Sequence, residues 1–424
     1  MSFLSEKETD GVLDRFLSYV KIWTTSDSEN ADKGIQPSTK RQFDFANLLK
    51  NQLESFGLEN VQVTEHCYVY GFLKATPKMA EKAPLCLLAH MDTVEEVSGE
   101  NVNAIVEFGY DGRKIDLEYN SSEYKSSLNP ENDEFLALAG KNRETIIRTD
   151  GKTLLGADDK AGITAIMAAL EYFHSHKEIE HQAIEVIFSP DEETGHGMDN
   201  VPLNLLKSKY AYTVDGGHIG ELETECFNAF GSVIEFTGVS THTGSARGKL
   251  VNANTMASSF VANLPRQMSP ETTDGYEGFI APMSIEGTIE SAKVSLILRD
   301  FTKDGIEAKK ALVDKIAETT AVSFGGKVKT THTQQYLNMK DGLDKNPEVV
   351  KNLVAAYKKA GVEPVLVPIR GGTDGSRLTE MGIPTPNIFT GGHNYHSRNE
   401  WCSLNQMCKA VEILVNLTSE KTDA

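Results

Sequence analysis

Side chains that can bind metal ions follow four short apolar segments of the chain. The segment LCLLA is followed by HMD (90–92), AIEVIFS by PDEE (190–193), AYTV by DGG (215–217) and PNIFT by GGHNYH (391–396). Short apolar runs of this kind are typical of buried strands in an α/β sheet. Ligands bind outside the carboxyl ends of the strands in such sheets. We therefore expect the four clusters to meet in one crevice.

A fifth segment, GADDKAG (156–162), opens a predicted helix whose apolar face begins at Ile163. Its glycines allow close approach of the backbone, and its aspartates are also favoured at a helix N-terminus without any ligand. Each of the five clusters alone has an ordinary structural explanation: a buried histidine, a solvated acidic loop or a turn. Their joint occurrence at strand ends and at a helix start favours one shared site.

The residue types in these clusters suit a two-metal hydrolytic site. Zinc is bound by histidine nitrogen and carboxylate oxygen, and a catalytic site leaves one position open for water. Two ions held about 3.5–4 Å apart need a carboxylate between them. Such a site requires two histidines and three carboxylates as ligands, with one further carboxylate as a general base. The five clusters supply this set.

The segments that position these clusters alternate between helical and strand patterns. Helical spacing of apolar residues occurs at 12–20, 45–53 and 163–173, and again at 346–360 and 404–417. Strands alternating with helices predict an α/β domain with a mixed, largely parallel sheet flanked by helices. The polar segment 95–150 contains two strand-like pieces, and we expect it to be a surface excursion rather than a linker.

The sequence pattern changes near residue 226. Residues 227–337 contain strand-like pieces and two helical stretches, which indicates a smaller α+β domain. After about 340 the α/β pattern returns. We therefore predict a discontinuous catalytic domain, 1–226 and 338–424, and an inserted domain, 227–337.

Composition excludes several classes of partner. Lys and Arg number 42 against 61 Asp and Glu, so the net charge of −19 disfavours nucleic acid and anionic membranes. No apolar run is long enough to span a membrane. The N-terminus lacks a secretory signal pattern, and the five cysteines include no C-x-x-C pair. These features predict a cytoplasmic protein with reduced thiols.

Longer stretches of the chain resemble one known family. These stretches are TLLGADDKAGI (153–163), PDEETG (190–195), YTVDGG (212–217), IRGGTDG (369–375) and FTGGHNYH (389–396). They resemble the two-zinc exopeptidases and deacylases, a family that includes carboxypeptidase G, aminoacylase and succinyl-diaminopimelate desuccinylase. The first and last stretches resemble the peptidase T branch in particular, whose members are cytosolic tripeptide aminopeptidases. The resemblance covers nearly the whole chain.

The resemblance implies a role for each candidate residue. It implies five metal ligands: His90 and Asp215 for one zinc ion, Glu193 and His396 for the other, and Asp158 between them. Asp158 is preferred to Asp159 because the family pattern places the bridging aspartate two residues before a lysine, here Lys160. Asp92 would orient the His90 ring, and Glu192 would be the catalytic base. Two Zn²⁺ ions per subunit are expected, with Co²⁺ or Mn²⁺ as substitutes.

The inserted domain also contains residues that match the family. His242, in STHTG (240–244), matches a histidine that helps to hold the oxyanion and that comes from a partner subunit in some relatives. Arg299 and Arg370 resemble groups that receive a peptide carboxylate, although a structural ion pair explains Arg299 equally well. The resemblance thus implies a lid or dimerisation role for this domain, and allows a homodimer.

The implied activity is that of a metallo-aminopeptidase. It would hydrolyse the N-terminal residue from tripeptides with a water activated by two zinc ions and with Glu192 as general base. Two alternatives stay open. A dipeptidase or N-acyl amino acid deacylase of the same family would share all the metal ligands, and a non-catalytic binding protein could share the fold, although no ligand or base is missing here.

Overall fold

The computed structural model describes residues 3–120 and 125–419, without the side chains of Asn120 and Lys125. The helices within this part are α1 (Glu6–Tyr19), α2 (Ser28–Asp32), α3 (Gln42–Ser55), α4 (Glu134–Asn142), α5 (Ala157–Ser175), α6 (Ala253–Ala262), α7 (Lys303–Phe324), α8 (Lys340–Asp344), α9 (Pro347–Lys359), α10 (Asp374–Glu380) and α11 (Leu404–Thr418). The strands are β1 (Glu59–Val63), β2 (Val69–Leu73), β3 (Leu85–His90), β4 (Ile105–Glu107), β5 (Ile115–Asn120), β6 (Lys125–Leu128), β7 (Ile146–Arg148), β8 (Ile184–Ser189), β9 (Ala211–Gly216), β10 (Glu221–Cys226), β11 (Asn228–Thr237), β12 (Phe279–Gly287), β13 (Ser291–Asp300), β14 (Lys327–Tyr336), β15 (Val365–Ile369), β16 (Asn387–Phe389), β17 (Gly392–His393) and β18 (Trp401–Ser403).

The chain forms two compact units. The first unit comprises Met1–Thr224, Asp341–Val367 and Thr373–Ala424, and the second comprises Glu225–Lys340 and Pro368–Gly372. The short segment Pro368–Gly372 therefore groups with the second unit, whereas the sequence analysis assigned it to the catalytic domain. A lid role for the second unit stays a prediction.

The first unit is built on an eight-stranded sheet with the order β1-β2-β8-β3-β9-β16-β10-β15. Its central strands β8, β3, β9 and β16 are parallel, whereas β1, β2 and β10 pair antiparallel with their neighbours. All residues of β3 and β8 are buried, as expected of central strands covered on both faces. The predicted α/β fold with a mixed sheet is confirmed.

Helix α5 packs against the middle of this sheet. It contacts β3 and β9, and it also packs against α1 and α11. Its residues from Ala161 to Leu170 are almost all apolar and buried, so α5 is apolar around most of its circumference. A helix of this kind belongs in a core. It therefore fixes the position of the aspartate-rich segment at its N-terminal end.

The segment 95–150 forms part of two smaller sheets. Strands β4 and β7 join β17 and β18 in a four-stranded sheet, and β5 pairs with β6. The predicted strand-like pieces at 104–108 and 144–149 correspond to β4 and β7. Because β17 and β18 flank the loop 394–400, this sheet holds that loop at both ends.

The second unit is an antiparallel sheet with the order β12-β13-β11-β14, packed against α6 and α7. Its core is formed by the apolar side chains that alternate along β11 and β13, together with one face of each helix. Within residues 3–120 and 125–419, no helix is both long and apolar enough to cross a lipid bilayer.

Candidate metal centre

Four neighbouring parallel strands bring the sequence-predicted ligands to one edge of the sheet. Strand β3 ends at His90, and β9 carries Asp215 next to its last residue. Strand β8 ends one residue before the PDEE segment, in which Glu192 begins a one-turn 3₁₀ helix. Strand β16 leads through β17 to His396. The expected convergence of these clusters at the carboxyl ends of the strands therefore occurs.

The first group of donor atoms consists of His90, Asp158 and Asp215. One ligand atom from each lies within 4.8 Å of the other two. His90 Nε2 is 2.8 Å from Asp158 Oδ1 and 3.5 Å from Asp215 Oδ1. His90 is buried, and the two carboxylates are nearly so. This geometry would allow one ion to be shared by the three side chains.

The second group consists of Asp158, Glu193 and His396. His396 Nε2 is 3.2 Å from Asp158 Oδ2 and 3.0 Å from Glu193 Oε2. Asp158 thus presents Oδ1 to the first group and Oδ2 to the second. One carboxylate common to two donor groups is the arrangement that a pair of metal ions requires.

The charges at the site also suit metal ions. Among the described residues, no lysine or arginine forms a salt bridge with Asp158, Glu193 or Asp215. Glu193 Oε1 is buried and has no hydrogen-bond partner. Burial raises the pKa of Asp215 to about 6 and that of Glu193 to about 8. A buried anionic cluster of this type is stabilised by bound cations, and its nitrogen and oxygen donors fit zinc.

Asp92 contacts both halves of the predicted site. Its side chain is fully buried, and Oδ1 lies 3.4 Å from His90 Nδ1. The backbone N–H of Glu192 donates to Oδ1 at 3.0 Å, and that of Glu193 donates to Oδ2 at 3.2 Å. One carboxylate therefore lies close to a ring of the first donor group and accepts both backbone N–H groups of the two glutamates; the orientation of the His90 ring by Asp92 stays a prediction.

Glu192 belongs to neither donor group. Burial raises the pKa of Glu192 well above its usual value; the charge of His90 opposes this shift, and the charge of Asp215 adds to it. The next residue, Glu193, is in the second donor group. The two neighbouring glutamates therefore occupy different positions relative to the donor atoms.

Glu400 is a residue of this site that the sequence analysis did not identify. Its carboxylate is buried and accepts backbone N–H groups of Leu155 at 2.6 Å, Gly156 at 2.8 Å and Asp158 at 3.2 Å. Because Glu400 follows His396 by four residues, it joins the loops that carry two of the predicted ligands. A glutamate in a polar loop gives no sequence signal for this role.

Three predicted residues lie in the second unit. His242 is exposed, and its Nδ1 accepts the backbone N–H of Gly244. Arg299 donates to the carbonyl oxygen atoms of Phe230 and Leu298. The Arg370 guanidinium donates to four oxygen atoms of a single loop: the carbonyls of Gly275 and Glu277, and the carbonyl and hydroxyl of Thr273. These bonds favour a structural role for Arg370, and its binding of a substrate carboxylate stays a prediction.

Comparison with known proteins identifies the family. Residues 147–420 match the peptidase family M20/M25/M40. The chain belongs to this family. It is 43% identical over 412 residues to peptidase T of Clostridium perfringens (strain 13), an alignment that covers 96% of this chain and 98% of the relative. The resemblance predicted from the motifs, to the family and to its peptidase T branch, is confirmed.

Solved structures have the same fold. The crystal structure of the aminopeptidase PepT from Bacillus cereus matches with a TM-score of 0.74 at 22% identity, over 97% of this chain and 98% of the other. The YXEP protein of Bacillus subtilis, described as a dinuclear metal-binding peptidase of family M20, matches with a TM-score of 0.63 at 12% identity, over 97% and 98%. The two donor groups lie in a chain of this M20/M25/M40 family.

Proposed function

We propose that this chain is a metal-dependent aminopeptidase that removes the N-terminal residue from tripeptides. The observation that carries the proposal is the 43% identity to a peptidase T over nearly the full length of both chains. The two donor groups that share Asp158 supply a site for the chemistry. Small peptides would be the substrates.

Two zinc ions are the metals we propose, with Co²⁺ or Mn²⁺ as substitutes. His90, Asp158 and Asp215 would hold one ion, and Asp158, Glu193 and His396 the other. When bound, such a pair lowers the pKa of water and polarises a peptide carbonyl. Asp92 would keep the His90 ring in place, because it lies 3.4 Å from Nδ1 of that ring.

Glu192 is the residue we propose as general base. It lies beside the donor groups without belonging to either, and the charge of bound metal ions would favour its carboxylate form, which can accept a proton. It would take the proton of the attacking water and deliver it to the leaving amine. Its backbone N–H is fixed by Asp92 at 3.0 Å, and this bond would keep the base in position between the two proton transfers.

His242 is the residue we propose to stabilise the oxyanion. Its Nδ1 accepts the N–H of Gly244 at 3.1 Å, so a neutral ring carries its proton on Nε2. That N–H group, on an exposed side chain, is a suitable donor to a substrate oxygen on which negative charge develops.

A cytoplasmic location and a homodimer formed through the second unit belong to the same proposal. The five cysteines are thiols rather than disulfides, which supports a reducing compartment. Mixing a His242→Ala variant with a Glu192→Gln variant tests the dimer. Recovered activity in the mixture would support subunits that share their sites, and absence of recovery would indicate sites that are complete within one chain.

A panel of peptides tests the activity. It would contain dipeptides, tripeptides, tetrapeptides and N-acyl amino acids, each assayed with and without a chelator. We expect hydrolysis of tripeptides with release of the N-terminal residue, loss of activity after chelation and recovery with zinc or cobalt. Preferred cleavage of dipeptides or acyl amino acids would favour the alternative activities. Full activity of the metal-free protein would contradict the whole scheme, and fewer than two metal ions in an inactive protein would favour a binding protein.

A further inference from the structure

A polar cavity lies beside the loop that carries His396. Its volume is about 500 Å³, and Asn394, Tyr395 and Ser397, which flank His396 in the chain, line part of it. Another part is lined by the segment 127–133, which belongs to the polar excursion. All of these residues lie in the first unit. The established features of the family do not account for this cavity.

Asp133 gives the cavity a fixed negative charge. It caps α4 by accepting the N–H of Leu136 on Oδ1 at 2.9 Å. Its Oδ2 accepts the Asn394 amide at 2.9 Å and the Trp401 indole N–H at 3.1 Å. A carboxylate has about four acceptor positions, so about one stays open. No described lysine, arginine or histidine forms a salt bridge with Asp133.

The rest of the lining offers mainly amide and hydroxyl groups. Asn129, Asn132 and Asn399 line the cavity together with Asn394 and the serines of the two segments. An apolar side chain in this cavity would remove water from these groups without replacing its hydrogen bonds, which is unfavourable. A side chain with an ammonium or guanidinium group would instead bond to the amide oxygen atoms and meet the charge of Asp133.

We propose that this cavity binds the side chain of the N-terminal residue of the substrate and selects lysine or arginine there. The inference rests on the proposed function, because an aminopeptidase presents a single residue on the acyl side of the cleaved bond. One side chain needs a pocket of limited volume, whereas the two-residue leaving group of a tripeptide needs an open path. A cavity lined within one unit suits the single residue.

Two tripeptides that differ by one charged group test the proposal. Lysine and norleucine share a four-carbon stem, and only lysine carries the ammonium. For the metal-loaded parent protein we expect kcat/KM for Lys-Gly-Gly to exceed that for norleucyl-Gly-Gly by about tenfold, the range of one hydrogen bond to a charged group. In the Asp133→Asn variant this ratio should fall to near one, mainly through KM for the lysine peptide.

The variants are chosen so that the cap of α4 is kept. Asparagine and serine are good N-caps, so Asp133→Asn and Asp133→Ser both retain this cap. Both lose the Oδ2 acceptor of Asn394 and Trp401, so the metal content of each variant is measured beside its kinetics. Glu131→Gln is the matched control, because it removes one negative charge from the same segment at an exposed side chain outside the cavity lining. We expect this control to keep the parent ratio, and thermal melting to confirm that all variants are folded.

Several results would overturn the inference. These are a parent ratio near one, an unchanged ratio in both Asp133 variants, or an equal fall of the ratio in the Glu131 control. An Asp133-dependent preference for Gly-Lys-Gly over Gly-norleucyl-Gly would assign the cavity to the leaving group, and would also overturn it. If norleucyl-Gly-Gly is hydrolysed normally in these cases, only the inference fails. If no tripeptide is hydrolysed, the proposed function fails as well.

Discussion

Replacing Glu192 by glutamine should stop turnover while two metal ions stay bound. The side chain of Glu192 lies in neither donor group, so the substitution removes no predicted ligand. Glutamine has nearly the same size as glutamate, and the N–H of residue 192 that donates to Asp92 belongs to the backbone. The change is therefore confined to the ability of one oxygen atom to accept a proton.

The magnitude follows from this single loss. A positioned general base contributes about 10²–10⁴ to the rate, which corresponds to about 3–5 kcal/mol of activation free energy. We expect kcat to fall by this factor while KM changes little. Metal content, measured by elemental analysis after dialysis, should stay at two ions per chain, as in the parent.

Glu193→Gln is the matched control because it removes the same charge from the next residue. Glu193 Oε2 lies 3.0 Å from His396 Nε2, and its Oε1 is buried without a partner. A neutral amide is a poorer ligand than a carboxylate. Loss of a residue that only supports a ligand costs about 10–100-fold in metal affinity, so we expect at least this loss for one ion. Added zinc should restore part of the activity.

Titration of each protein with zinc, followed by assay at every point, separates the two roles. The Glu192 variant should saturate at two ions and stay inactive, and the Glu193 variant should need more zinc. If Glu192→Gln lost metal while Glu193→Gln kept it, the two roles would have to be exchanged. If both variants kept two ions and nearly normal rates, the base would lie elsewhere and the mechanism would be wrong.

Three further predictions concern residues around the donor groups. Asp92→Ala should lower activity about 10–100-fold because the ring and backbone that it orients become free; unchanged activity would contradict its role. Glu400→Gln should weaken metal binding by about tenfold, measured by chelator competition, because its carboxylate positions Asp158; unaltered affinity would show that the loop holds without it. Burial raises the pKa of Glu223 from 4.5 to about 8. The free energy of unfolding therefore falls as pH rises between these values, because the Glu223 carboxyl ionises more readily in the unfolded chain. The difference in melting temperature between Glu223→Gln and the parent should therefore be about 2–4 °C larger at pH 8.5 than at pH 5.5 in metal-free protein. The control Glu96→Gln, at an exposed side chain, should show no such increase.

The central part of the fold follows from the sequence because its signals are strong and local. Strand β3 is apolar up to His90, strand β8 is mostly apolar, and side chains that can bind metal ions follow each strand closely. Parallel strands are buried, and ligands bind at their carboxyl ends. These two rules predict that His90 and Glu193 lie at one edge of the sheet. This prediction did not need the pairing order of the strands, so the site could be located without a predicted topology.

The start of α3 was harder to predict. The sequence suggests a start at 37–39, where proline is followed by serine and threonine, but the helix begins at Gln42. Ser38 does not cap it, because both the N–H and the hydroxyl of Ser38 donate to Asp191. The partner is 153 residues away. A contact over that separation leaves no trace in local spacing.

The polar excursion was underestimated for a similar reason. Its strands β4 and β7 are three residues each. Strand β7 pairs with β18 near the C-terminus, and β4 pairs with β7. Helix α4 gave no strong apolar period, although Asp133 caps it. Residues 121–124, between β5 and β6 in the chain, lie outside the described residues. Pattern analysis thus found β4 and β7 but not β6 or α4, and Ser127 and Leu128 of β6 line the cavity together with Asp133, the cap of α4.

Buried carboxylates hold several loops of the site in place. Asp92 accepts two backbone N–H groups of the loop after β8. Asp159 accepts those of His90 and Gly162, and Glu400 accepts three from the segment 155–158. Since both oxygen atoms of Asp159 are engaged in this way, the neighbouring Asp158 is the better candidate for the bridging ligand, in agreement with the lysine spacing used in the sequence analysis. The supporting carboxylates and the ligands concentrate negative charge in one place, and burying this charge destabilises the folded protein unless cations are bound there. The negative charge near the site thus follows from the way in which the loops are fixed. The same charge would supply affinity for the two ions.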